Sequence, residues 1–133
     1  MSAVGEAGPV ESAVRATVKP GASLPTPTGR GQFTIATIDR TGIVLLLGQK
    51  EARTPISWAC LEGVPQFLRG RGWVPIAGTY DTSSATGTLD AYLKQFINRA
   101  TAGWVAVILE RAGIVAIDRG RPAAVKLRPE AAD

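Results

Sequence analysis

Between Thr88 and Arg128 the hydrophobic pattern changes from the period of a helix to that of a strand. After Thr88, apolar residues recur at helical spacing, namely at Leu89, Tyr92, Leu93, Phe96, Ile97 and Ala100. Thr101 suits the cap of a second helix over 102–112, and Gly113 stands where a left-handed residue often ends a helix. Two strands follow, over 114–118 and 123–128, around a turn at 119–122. Two helices joined this closely must meet at a sharp angle before the hairpin.

An earlier β-hairpin is predicted over 33–47, where alternating apolar residues and a buried apolar run flank the turn Asp39-Arg40-Thr41-Gly42. The polar stretch 49–53 is expected to be exposed. A helix then begins at Thr54-Pro55 or at Ser57, and Pro65 divides it into two short helices or kinks it.

A short strand over 73–76 follows these helices, and Pro75 makes it an edge strand. Residues 78–87 have the composition of a loop. The sequence therefore predicts an α+β fold.

The domain is expected to occupy residues 33–128. Residues 1–32 hold four prolines and five glycines, which predicts a flexible N-terminal segment, and 129–133 is expected to be a frayed tail. No signal peptide or apolar run of membrane-spanning length is visible, so a cytoplasmic location without membrane contact is expected.

The composition argues against most enzymes. There is no histidine and only one cysteine, Cys60, so Ser-His and Cys-His pairs, disulfides and zinc or iron–sulfur clusters are excluded. No phosphate-binding glycine motif is present in a strand–helix context. We expect no enzymatic activity and no cofactor. Cys60, in an apolar helical run, is predicted to be an inert core thiol.

The element order over 55–128 is helix, strand, helix, turn, helix and hairpin. This order resembles that of winged-helix DNA-binding domains, here with the 33–47 hairpin added in front. The resemblance implies that helix 102–112 would be the recognition helix and that 119–121 would be the tip of the hairpin "wing". Its partner would be double-stranded DNA, as in transcription regulation or the recognition part of a restriction-type system.

The excess of basic residues is consistent with an anionic partner. The net charge is +4, with eleven arginines and four lysines. Residues 94–128 hold seven basic and two acidic residues. Arginines 119 and 121 flank a turn glycine and should reach into solvent, while positions 126 and 128 share a strand face. The candidate contacts to DNA phosphates are Arg119, Arg121, Lys126, Arg128, Arg99, Thr101, Arg69 and Arg71.

Helix 102–112 itself is poorly equipped to read bases. It carries two charged residues and no Asn, Gln or Lys, so it is expected to lie mostly in the core. Trp58 and Trp104 follow the apolar pattern and are also expected to be core residues. Trp73 and Tyr80 are candidates for stacking against a base.

Two other interpretations remain open. The basic face is either functional or merely solvated, and the apolar third helix also suits a protein-interaction or homodimerisation module on the same scaffold. The salt dependence of duplex binding separates these hypotheses, because phosphate contacts weaken steeply as salt rises.

Overall fold

The structure of this chain is a computed structural model that describes residues 8–25, 32–47, 52–76, 88–96, 102–119 and 123–128. Helices and strands form a mixed α+β fold with a four-stranded antiparallel sheet and a smaller second sheet. In chain order the elements are α1 (Pro9–Thr17), β1 (Ser23–Pro25), β2 (Gln32–Ile38), β3 (Gly42–Leu47), β4 (Ala52–Ser57), α2 (Trp58–Glu62), α3 (Val64–Leu68), β5 (Val74–Pro75), α4 (Leu89–Leu93), α5 (Ala102–Arg111), β6 (Val115–Asp118) and β7 (Ala124–Leu127).

The predicted hairpin over 33–47 is confirmed. Strands β2 and β3 pair antiparallel at the centre of the first sheet, whose strand order is β1-β2-β3-β4. Phe33 and Ile35 are almost completely buried, as the period of two predicts. The register shifts after Ile35, so Ile38 packs against the core although it is one residue out of phase in the sequence.

Strand β4 corrects the prediction for the next segment. The predicted helix start at Thr54-Pro55 is wrong, because both residues belong to β4, which pairs antiparallel with β3, whereas Arg53 is exposed as predicted. Thr54 and Ile56 are buried, whereas Arg53 and Pro55 are exposed. The strand therefore alternates in the usual way, but with a threonine in one inward position. Pro55 is tolerated because β4 forms an edge of the sheet.

Two short helices follow, as Pro65 predicts. Ser57 is the residue that caps α2, since its Oγ accepts a hydrogen bond from the Cys60 N–H at 3.2 Å. Pro65 lies in the first turn of α3, where its missing N–H costs no helical hydrogen bond. Trp58 is buried as predicted, and its indole N–H donates to the Asp39 carbonyl at 2.7 Å. This bond ties α2 to the β2–β3 turn.

The prediction that residues 1–32 form a flexible segment is wrong for residues 8–25. Val10 and Val14 of α1 and Val18, which follows the helix in an extended conformation, are at most 2% exposed. Helix α1 packs on α2 and α5, and β1 extends the first sheet beside β2. Pro9 starts α1, Pro25 ends the edge strand β1 and Pro20 lies in the turn between them, which are positions that accept proline.

The C-terminal elements agree with the sequence pattern except in α4, which ends at Leu93, whereas the predicted apolar stripe continues to Ala100. Thr88 caps α4, its Oγ1 accepting from the Ala91 N–H at 3.0 Å. Gly113 follows α5 with a φ of +80°. Strands β6 and β7 form the predicted hairpin, and β5 pairs with β7, so the second sheet has the order β5-β7-β6 with β5 at an edge. The predicted loop 78–87 and tail 129–133 lie outside the described residues.

Candidate nucleic-acid interface

The second sheet has one side in the core and the other in solvent. Val74, Val115, Val125 and Leu127 point inward and are buried. Because neighbouring residues on a strand face opposite ways, the register of the three strands also defines the solvent side. We call this side the outer sheet face, and its residues are Trp73, Pro75, Ala116, Asp118, Ala124, Lys126 and Arg128.

Trp73 and Lys126 form a composite surface on the outer sheet face. Val74 pairs with Val125, so Trp73 comes level with Lys126 on the next strand. The Lys126 Nζ lies 5.9 Å from the centroid of the indole ring. A cation at this distance from an exposed ring is attracted by about 0.5–1 kcal/mol. Trp73 is 49% exposed, so its ring is accessible from solvent.

The predicted pairing of Lys126 and Arg128 on one strand face is confirmed. Both are exposed, and they stand two residues apart on β7, about 7 Å along the strand. Asp118 lies on the same face opposite Ala124, so two cations stand against one acid there.

The sequence predicts that Arg119 reaches into solvent from a turn, whereas in the structure its side chain is paired with Glu110. Its Nη1 and Nη2 donate to the two carboxylate oxygens of Glu110 at 2.9 and 2.7 Å. This bidentate pair joins the last turn of α5 to the end of β6. The Arg119 hydrogen bonds and positive charge lower the pKa of Glu110, and Glu110 in turn raises the pKa of Arg119. The structure therefore gives Arg119 a role in holding the hairpin against α5.

Arg71 is also engaged with the protein. Its guanidinium carbon lies 4.6 Å from the centroid of the Phe67 ring, and its Nε donates to the Phe67 carbonyl at 2.5 Å. Phe67 stacks on Tyr92 at 4.9 Å, and Tyr92 contacts Phe96 at 5.4 Å between ring centroids. The structure thus places Arg71 at the end of an aromatic row on α3 and α4 that the sequence pattern does not reveal. Arg69 is exposed just after α3.

Phe96 belongs to the apolar stripe predicted after Thr88, yet it is 50% exposed. Helix α4 ends at Leu93, and the chain continues in tighter turns, with the Phe96 N–H donating to the Leu93 carbonyl at 2.9 Å. The 3.6-residue spacing therefore no longer decides which side chain faces the core.

Helix α5 is enclosed by the rest of the fold. The five consecutive residues from Val105 to Leu109 are at most 4% exposed. Five residues cover more than one full turn, so the core surrounds the middle of this helix on every side. The prediction that it is mostly core is confirmed, and Trp104 packs partly buried against the same core. The analogy with a recognition helix fails here, because a buried helix presents no donors or acceptors to a groove.

Four candidate residues lie outside the described part of the chain, namely Arg99, Thr101, Arg121 and Tyr80. Cys60 is completely buried, as predicted, and burial raises the pKa of its thiol from 9.0 to about 11. The Tyr92 hydroxyl donates to the Cys60 carbonyl at 2.8 Å, and burial raises the pKa of Tyr92 to about 12.

Searches of the described residues find no group of three or more His, Cys, Asp or Glu side chains placed to hold a metal ion. Within the same residues, no helix combines the length and apolar character that a membrane crossing requires. Comparison of the chain with protein-family models, curated proteins and solved structures finds no match.

Proposed function

We propose that this chain is a double-stranded DNA-binding module of the winged-helix type, and that it contacts the phosphate backbone through the outer sheet face. The observation that carries the proposal is the exposed pair of Lys126 and Arg128 beside the exposed indole of Trp73. The opposite side of the same strands is core, so the cations stand on a rigid support.

The order of elements supports the winged-helix assignment. From α2 onward the chain runs through helices, β5, two further helices and the β6–β7 hairpin. Strand β5 pairs with β7, and this pairing connects the helices and the β6–β7 hairpin in one unit. Helix α1 and the four-stranded sheet are additions to the minimal winged-helix plan.

The enclosed state of α5 favours backbone contact over base reading. Specific contacts in the major groove need polar side chains on an accessible helix or strand. Lysine and arginine on the outer sheet face can instead neutralise phosphates, which releases counterions and is independent of sequence. We therefore expect similar affinity for unrelated duplexes and a strong dependence on salt.

The test compares two charge-matched double variants by fluorescence anisotropy on a duplex of random sequence at several salt concentrations. Lys126→Gln with Arg128→Gln removes the two cations of the outer sheet face. Arg40→Gln with Arg53→Gln removes two exposed cations at the first sheet and serves as the control. Each lost phosphate contact should flatten the plot of log affinity against log salt by about 0.9. The first variant should therefore lose close to two units of slope, and the control should lose none.

Equal losses in both variants would contradict the outer sheet face as the site. If the wild-type chain binds no duplex at about 50 mM salt, where phosphate contacts are strong, the DNA hypothesis fails. The protein-interaction or homodimerisation module is then the better account.

A further inference from the structure

We propose that Trp73 is a stacking platform for an unpaired DNA base, so that the outer sheet face prefers DNA with a single-stranded end to blunt duplex. This proposal rests on the proposed function and specifies which DNA ends the outer sheet face binds.

The exposure of Trp73 sets it apart from the other tryptophans. Trp58 is 7% exposed and Trp104 packs partly buried against the core, whereas half of Trp73 is open to solvent. An indole left in water gives up the stabilisation that burial provides. Exposed aromatic side chains beside cations are the common feature of surfaces that bind single-stranded nucleic acid.

The surroundings of Trp73 favour a nucleotide over an apolar partner. The Lys126 ammonium lies 5.9 Å from the ring centroid, and Arg128 is further along the same strand face. An apolar protein surface laid on the indole would take these charges out of water without replacing their hydration. A nucleotide presents a flat base to the indole and an anionic phosphate to the cations at the same time.

The loop that leads into Trp73 leaves room for a nucleic-acid strand. Gly70 and Gly72 adopt φ angles of +76° and +69°, and in the described part of the chain no atom beyond each glycine and its two chain neighbours lies within 4 Å of the place where a Cβ would stand. The backbone beside the indole is therefore open to close approach.

A base has to be unpaired to use such a platform. Inside a duplex both faces of each base are covered by the neighbouring base pairs, and the last pair of a blunt end turns its open face along the helix axis, away from a surface that holds the backbone. An indole beside these cations therefore reaches a base face in a single strand or after extrusion. An overhanging single strand next to a duplex offers such a base, because the cations of the face hold the backbone that leads to it.

The experiment measures the affinity of the full chain for a blunt duplex and for the same duplex with a short single-stranded overhang. Three variants are compared with the wild type: Trp73→Ala, Trp73→Leu, which keeps apolar volume without a ring, and Phe96→Ala as a control that removes an equally exposed aromatic. We expect the wild type to bind the overhang about 5- to 150-fold more tightly than the blunt duplex, the range of one stacked base. Both Trp73 variants should lose this preference and keep the salt slope, and Phe96→Ala should change neither.

Equal binding of blunt and overhanging DNA by the wild type would overturn the inference and leave the proposed function standing. A preference that persists in Trp73→Leu, or that Phe96→Ala removes equally, would also overturn it. Absence of binding to both DNAs would instead refute the proposed function and this inference with it.

Discussion

Arg119 is held by both oxygens of Glu110, and this contact decides how a substitution at Arg119 must be interpreted. A guanidinium that reaches into solvent contributes little to folding, whereas one in a bidentate pair contributes a modest amount. An effect of an Arg119 variant on DNA binding is therefore meaningful only after its effect on stability is known.

Arg119→Gln should lower the free energy of unfolding by about 0.5–1 kcal/mol at pH 7, the value of a well-formed surface pair. Because Arg119 lowers the pKa of Glu110, the pair stabilises the fold fully above the ordinary Glu pKa of 4.5. This stabilisation is lost as the pH falls through the lowered pKa of the folded state. Urea unfolding of both proteins at pH 7 and at pH 3 measures the difference.

The exposed Arg53 supplies the control, since Arg53→Gln should leave the stability nearly unchanged at both pH values. A difference between wild type and Arg119→Gln that is the same at pH 3 and pH 7 would show that the carboxylate is not involved.

At the scale of elements, α1 depends on a distant carboxylate for its N-terminal cap. Gly8 has no side chain to accept a hydrogen bond, and the first turn is instead satisfied by Glu62 of α2. The Glu62 oxygens accept the N–H groups of Val10 and Glu11 at 3.2 and 2.8 Å. A carboxylate in this position also interacts favourably with the helix dipole.

Glu62→Ala should destabilise the protein by about 1 kcal/mol, as loss of a helix cap usually does. The loss should be local, because both N–H groups that Glu62 accepts belong to the first turn of α1. Amide hydrogen exchange should become faster at Val10 and Glu11 while the β2–β3 amides keep their protection. Glu62→Gln keeps one oxygen acceptor and should have a smaller effect. Unchanged exchange in α1 would contradict the capping role.

For the molecule as a whole, α1 decides where the folded unit begins. Its two buried valines, and Val18 directly after it, belong to the same core as the inner residues of both sheets. Deleting residues 1–19 removes them, at about 1.5–3 kcal/mol for each buried side chain, from a total stability of roughly 5–15 kcal/mol. We expect the deleted chain to lose most or all of its cooperative thermal transition, measured by circular dichroism.

Deleting residues 129–133 is the control truncation at the C-terminus. It should leave the cooperative thermal transition unchanged, since the sequence predicts a frayed tail there. A wild-type melting temperature after deletion of 1–19 would show that the core folds without α1.

Much of the fold follows from the sequence alone, wherever the signal is local. Turn chemistry at Asp39-Arg40-Thr41-Gly42 and the glycine after α5 are set by hydrogen bonds and dihedral angles within a few residues, and both predictions are confirmed. The period of two on β7 likewise brings Lys126 and Arg128 to one face, because that period depends only on the strand.

Only the tertiary structure decided those features that depend on contacts between residues far apart in the sequence. β4 is a strand because the edge of β3 was available for pairing, a contact that no local propensity reports. The valines of α1 are buried because α2 and α5 cover them, although the surrounding prolines and glycines suggest an unfolded segment. Whether an arginine faces solvent or a carboxylate depends on which element the fold places beside it, and for Arg119 that element was the end of α5. Local chemistry thus determined the elements and their ends, and packing between elements determined which surfaces remained to bind a partner.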